Sequence, residues 1–205
     1  MEYTWKKKVI KSYSAKVGQL KRMAYLPIHV QEEIYFKTII AAVAYGMTVW
    51  WTCSPSHTED LERIHVRAAR VIHRLPKDIL HDEILCLAKW DRLDYIYKRK
   101  ILSMMHKIYQ QTAPKELVNH FCRKLTRSRD KMSLELPRCS REIGRTSVRW
   151  RGPLLWNTLP INLRSIKGID SFKNELKSVK ELINSVSFNK EACLIQKKQR
   201  DFIYY

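Results

Sequence analysis

Apolar residues return every three or four positions from Trp5 to Ile108, and that rhythm restricts most of the chain to helices packed on helices. Trp5, Val9, Tyr13, Val17 and Leu20 trace one side of a first helix, with Lys7, Lys8, Lys11 and Arg22 on the other. Pro27 stands where a first helical turn tolerates it. Val30, Ile34, the run from Ile39 to Val43, Met47 and Trp50 then make a helix apolar nearly all round, the expected centre of the core. Pro55 ends it, and Glu59 and Asp60 suit the positive end of the next helix, which should run to about Arg74. Pro76 and Asp78 mark a turn before a short helix ending near Trp90. Asp91 can cap a helix whose stripe is Leu93, Ile96, Tyr97, Ile101, Met104 and Ile108, and Pro114 opens another through Leu125.

Between Arg123 and Arg151 the rhythm is lost. Pro137, Gly144 and Gly152 appear, and Met132 to Leu136 and Thr146 to Trp150 alternate as strands do, which predicts a small β-hairpin or irregular arm. A closing helix begins near Asp170 or Ser171 and carries Phe172, Leu176, Val179, Ile183 and Val186 on one side. The expected fold is therefore mainly α, a helical body of about six to seven helices with that small arm. Residues 1–126 form the body, 127–186 the basic arm and closing helix, and 187–205 a poorly ordered tail.

Lys and Arg number 39 against 20 Asp and Glu, a formal charge of +19 that favours polyanionic partners. No charged residue occurs from Thr38 to Thr58, yet the apolar stretch from Ile39 to Trp51 is shorter than the ~20 residues a bilayer needs, so a buried helix is expected and no membrane. Five scattered cysteines without a secretory leader point to reduced thiols and an intracellular chain, nuclear or cytoplasmic.

At about 100° per residue, Arg63, Arg67, Arg70 and Arg74 fall within an arc of roughly 60° on the helix from Leu61 to Leu75, while Leu61, Ile64, Ala68, Val71, Ile72 and Leu75 define another face. Forked guanidinium donors in such a row suit phosphates; the alternative is a row of surface salt bridges, beginning with Glu59 and Arg63. The segment from Arg123 to Arg151 is also strongly basic. Within it Arg145, Arg149 and Arg151 offer backbone neutralisation, and Trp150 offers either a stacking surface or an anchor to the core.

Catalytic patterns are missing. No acidic dyad sits on an apolar strand to hold two metal ions, no glycine-rich loop cradles phosphates, and His120, Cys122 and Cys139 lack the paired spacing of a zinc site. His81-Asp82-Glu83 and His57-Thr58-Glu59-Asp60 are explained by acid-rich helix starts. No metal, cofactor or small-molecule substrate is expected.

Two stretches resemble a known family. Tyr45-Gly46-Met47-Thr48-Val49-Trp50 followed by Leu61-Glu62-Arg63-Ile64-His65-Val66-Arg67-Ala68-Ala69-Arg70-Val71-Ile72 is similar to the region after the palm in LINE-type (non-LTR) retrotransposon reverse transcriptases. Arg151-Gly152-Pro153-Leu154-Leu155-Trp156-Asn157-Thr158-Leu159-Pro160, then Ile166 and Ser171-Phe172-Lys173-Asn174-Glu175-Leu176-Lys177, resembles the closing segment of the same proteins, with the jockey-like elements of invertebrates the nearest type. The resemblance runs in consistent order from about Trp5 to Lys180. It implies a thumb and carboxy-terminal region that helps hold RNA template and DNA primer during target-primed reverse transcription. The family's fingers, metal-binding palm and endonuclease have no counterpart here, so no catalysis is expected of this chain.

The expected role is binding of RNA, DNA or an RNA–DNA hybrid through the backbone, by Arg63, Arg67, Arg70 and Arg74 with Lys7, Lys8 and Lys11, and by Arg145, Arg149, Trp150 and Arg151 in the arm. The alternatives are a protein-interaction or self-association module, using apolar stripes such as Leu93 to Ile108, and a non-functional element remnant. Trp156 and Leu159 are expected to pack rather than bind.

Overall fold

The computed structural model describes residues 2–51, 55–121, 132–139, 141–186 and 188. The protein is mainly α-helical, and the described residues form no strand. It divides into two compact units, Met1–Tyr97 and Lys98–Tyr205, the division falling inside one helix. The boundary expected from composition, between 126 and 127, lies outside the described residues.

In the first unit, α1 (Glu2–Leu20) buries Tyr13, Val17 and Leu20, as its amphipathic pattern requires, and ends in a 3-10 turn, Lys21–Met23. Pro27 then precedes α2 (Ile28–Ile34). The apolar stretch that follows is not one uniform helix. From α2 the backbone widens into a π-helical segment, Tyr35–Ile40, and returns to α geometry in α3 (Ala41–Ala44). Gly46 then turns the chain with φ of 68°, a left-handed conformation that glycine adopts without penalty, into α4 (Met47–Trp50). The π insertion shifts the periodicity so that Tyr35, Ile39, Ile40, Val43 and Ala44 are all buried. Among the described residues no helix is long and apolar enough to cross a membrane.

Helix α5 (Pro55–Ile72) begins with a proline whose missing N–H would have been unpaired anyway. It ends in a Schellman turn: Arg74 takes φ of 54° and the Leu75 N–H donates to the Arg70 carbonyl at 3.0 Å. Lys89, after α6 (His81–Leu87), and Gln111, after α7 (Leu93–Tyr109), close their helices in the same left-handed way, with Trp90 N–H donating to Leu85 O and Thr112 N–H to Lys107 O. Leu93, Tyr97, Ile101 and Ile108 of α7 are buried, so this stripe is core and not the partner-recruiting surface that was one expectation.

In the second unit the short α8 (Lys115–Asn119) and α9 (Glu142–Arg145) precede α10 (Val148–Thr158). The expected strand from Thr146 to Trp150 is instead the start of α10: five alternating residues fit either period, and burial of Trp150 with Leu154 one turn on selects the helix. The expected strand from Met132 to Leu136 finds no strand neighbour among the described residues. Among the described residues it is held by the Asn157 side chain, whose Nδ2 donates to Leu134 O while its Oδ1 accepts from Leu134 N, both at 2.9 Å. Gly152 lets α10 approach α7 closely, since a Cβ there would lie 2.6 Å from Met105 Sδ.

Trp156 is the centre of this unit's core. It stacks on Tyr109 with centroids 5.3 Å apart, and its indole N–H donates to Met132 O at 2.9 Å. Leu159 is buried beside it in sequence. After α11 (Ile161–Arg164) the expected closing helix is two pieces, α12 (Ile169–Glu175) and α13 (Lys180–Ser185), and together they bury Phe172, Leu176, Ile183 and Val186. The tail from 189 lies outside the described residues.

Candidate nucleic-acid interface

Two of the basic groups marked in the sequence stand on neighbouring helices. Arg67 Nη2 donates to Ser14 Oγ at 2.8 Å and to Ser14 O at 3.1 Å, and Arg74 Nη2 donates to Ala24 O at 2.6 Å. Position rises along both segments together, so α1 and α5 run parallel. At about 100° per residue, Lys11 falls between Ser14 and Lys8 around α1, so the lysine side begins where the arginine row ends. Lys8, Lys11, Arg63, Arg67 and Arg74 are exposed. The side chain of Lys7 lies outside the described residues.

The four arginines are not equivalent. Arg63 pairs with Asp60 at 3.3 Å and more loosely with Glu59 at 4.0 Å, so the salt-bridge alternative describes this one residue. Exposed pairs of that kind contribute ~0–1 kcal/mol, and a phosphate can compete for them. Arg67 and Arg74 tie α5 to α1 and to the turn after it, each through one terminal nitrogen of a group with five N–H donors. Arg70 is half-buried, and its Nη2 donates to Ile79 O at 3.0 Å, bracing the loop before α6. The row therefore fastens the unit together while keeping three guanidinium groups in contact with solvent.

The remaining residues of the set belong to the second unit. Arg149 is exposed on α10. Arg145 is half-buried, with Nη2 3.5 Å from Cys139 O. Arg151 lies with its guanidinium carbon 4.5 Å above the Phe188 ring, and its Nε donates to Arg145 O at 3.4 Å. Trp150 is only 4% exposed, which corrects one of its two readings: it anchors α10 and offers no stacking surface.

Two features escaped the sequence reading. Lys16 stands two turns after Lys8 with Ser12 between them, and these three form one rim of a groove of about 270 Å³ beside the π-helical segment. The second is a buried polar relay. Tyr35 Oη lies 2.6 Å from Tyr13 Oη and 2.5 Å from His65 Nδ1, and His65 Nε2 donates to Asp91 O at 3.0 Å. Trp90 stacks on Tyr35 at 4.7 Å, and its N–H and that of His73 converge on Glu32 Oε1 at 2.8 and 3.1 Å. Burial pulls the His65 imidazole down to about 4 and pushes the Glu62 carboxyl up to about 7, although Arg92 and the Leu93 N–H favour its ionised form. A histidine in the middle of the apolar stripe of α5 was the available signal, because a polar group on a buried face requires a partner.

Among the described residues no three His, Cys, Asp or Glu side chains are placed to hold a metal ion. Compared with known protein families, with curated proteins and with solved structures, the chain matches none.

Proposed function

We propose that this chain is a non-catalytic module that binds the sugar-phosphate backbone of RNA, DNA or their hybrid, the thumb and post-palm region of a LINE-type reverse transcriptase. The observation that supports the reading best is the junction of α1 and α5, where Arg67 meets Ser14, the exposed charges of Lys8, Lys11 and Arg63 share adjacent parallel helices, and exposed Arg74 follows the end of α5. Charges so placed neutralise phosphates without reading base edges, which gives register on a strand but little sequence preference. The resemblance of the two motif stretches to the reverse transcriptases supplies the template–primer context.

Titrating labelled RNA–DNA hybrid, duplex DNA and single-stranded RNA with the purified chain across a salt series tests it. Each neutralised duplex phosphate contributes about −0.9 to the log–log slope. A steep slope on all three supports backbone binding; an affinity indifferent to salt contradicts it.

A protein-interaction role has one specific observation in its favour. Leu80 and Leu87 are 69% and 60% exposed and seven residues apart, at the start and end of α6, hence on one side of it. Concentration-dependent sedimentation that Leu80→Ser with Leu87→Ser abolishes, together with no binding to nucleic acid, would favour that role.

A further inference from the structure

We infer that the groove between α1 and the π-helical segment seats an unstacked base of a single-stranded nucleic acid, with Lys8, Ser12 and Lys16 taking the backbone on either side. The inference rests on the backbone-binding reading above and adds to it a preference for single strands carrying bases.

The floor of the groove is apolar, formed by Val9, Ile39, Ala42 and Val43. Tyr13 lines it too, with its hydroxyl committed to Tyr35. The rim is a regular row. Lys8, Ser12 and Lys16 recur every four residues, hence about 6 Å apart along α1, and among the described residues no carboxylate lines the groove. A π insertion forms the facing wall through Ile39, and such insertions occur frequently at functional sites.

The ligand must therefore present anions at regular intervals beside a flat apolar body. A lone amphiphile has one headgroup and leaves one of two lysines ~12 Å apart without a partner. A duplex has the repeating charge but keeps its bases stacked. A single strand has both the repeating charge and exposed base faces, which bind apolar surfaces whatever their sequence. At about 270 Å³ the groove lies below the roughly 300–1,000 Å³ of pockets for drug-sized ligands, a size suited to one planar base.

Fluorescence anisotropy of the full chain with a short labelled oligothymidylate and with an abasic backbone of equal length, at one moderate salt concentration, tests the inference. The base-bearing strand is expected to bind about tenfold tighter. Ala42→Trp, at an exposed position, fills the groove and should remove that margin while leaving the abasic affinity in place; Ser12→Trp, from the opposite wall, should also remove the margin. Equal binding of the two strands by the parent chain, or a margin that survives both substitutions, overturns the inference and leaves the backbone reading standing. Binding of neither strand removes both readings. An acidic amphipathic peptide whose binding is lost in Ala42→Trp while the oligothymidylate margin persists would give the groove to a peptide and overturn the inference.

Discussion

The Tyr35 hydroxyl donates to His65 Nδ1 at 2.5 Å, and the carbonyl of Asp91 fixes that direction. A carbonyl only accepts, so His65 Nε2 carries the proton, Nδ1 is left to accept from Tyr35, and Tyr35 in turn accepts from Tyr13. Tyr35→Phe breaks two buried bonds and orphans a ring nitrogen, while Tyr13→Phe breaks one. Denaturant unfolding should show Tyr35→Phe costing about 1–3 kcal/mol and Tyr13→Phe distinctly less. Equal costs would mean that the relay is not ordered in this direction.

The same neighbourhood predicts an unusual pH profile. Between pH 6.5 and about 4 the unfolded chain protonates His65 while the folded chain resists, so this contribution is complete above 6.5 and lost on acidification, by at most about 3 kcal/mol. Glu62 acts in the opposite sense: its carboxyl is raised from 4.5 to about 7, so its contribution is complete below 4.5 and lost as pH rises toward 7. In the parent chain the two slopes oppose each other between 4.5 and 6.5. Glu62→Gln should uncover the His65 slope, making the variant's stability rise with pH more steeply than the parent's in urea titrations. Identical slopes would contradict the assignment.

Arg74 holds a left-handed backbone that costs a side chain about 1 kcal/mol, and its guanidinium reaches Ala24 O. Arg74→Gly and Arg74→Ala both remove the guanidinium, but only glycine relieves the backbone. Thermal unfolding should place Arg74→Ala about 1 kcal/mol below Arg74→Gly, with both binding nucleic acid more weakly than the parent. Alanine matching glycine in stability would refute the cap.

Trp156 is fully buried among Tyr109, His106 and Phe172. Trp156→Ala should destabilise the second unit by ~3–5 kcal/mol in a denaturant melt, and Trp156→Phe by less because only the bond to Met132 O and part of the ring are lost. An unchanged melt would overturn its place in the core.

The helical class was legible because the stripes of α1, α5 and α7 are long enough for period to decide. Their ends were not: Arg74, Lys89 and Gln111 close helices in left-handed geometry without glycine, the residue that usually marks such a turn. The π segment was invisible for a related reason, since the apolar positions from Val30 to Trp50 go nearly all round the helix and one inserted residue leaves little trace in such a pattern. Around Trp150 the alternation was too short to separate strand from helix, and tertiary burial decided. In the candidate site, the arginine row and the lysines of α1 could be read from spacing. Their meeting at Ser14, and the groove beside Lys16, depend on how α1 packs against α5 and against the π-helical segment, which no local pattern encodes.

If the joined basic faces of α1 and α5 bind the backbone, removing the charges that make no tertiary hydrogen bond among the described residues should weaken binding without loosening the fold. Lys8→Ala, Lys11→Ala and Arg63→Ala in one chain leave Arg67, Arg70 and Arg74 to hold the unit together. Anisotropy titrations with duplex DNA over a salt series should show weaker binding and a log–log slope shallower by up to about 2.7, about 0.9 for each lost contact. A variant that melts like the parent yet binds with the same affinity and the same slope would contradict the account.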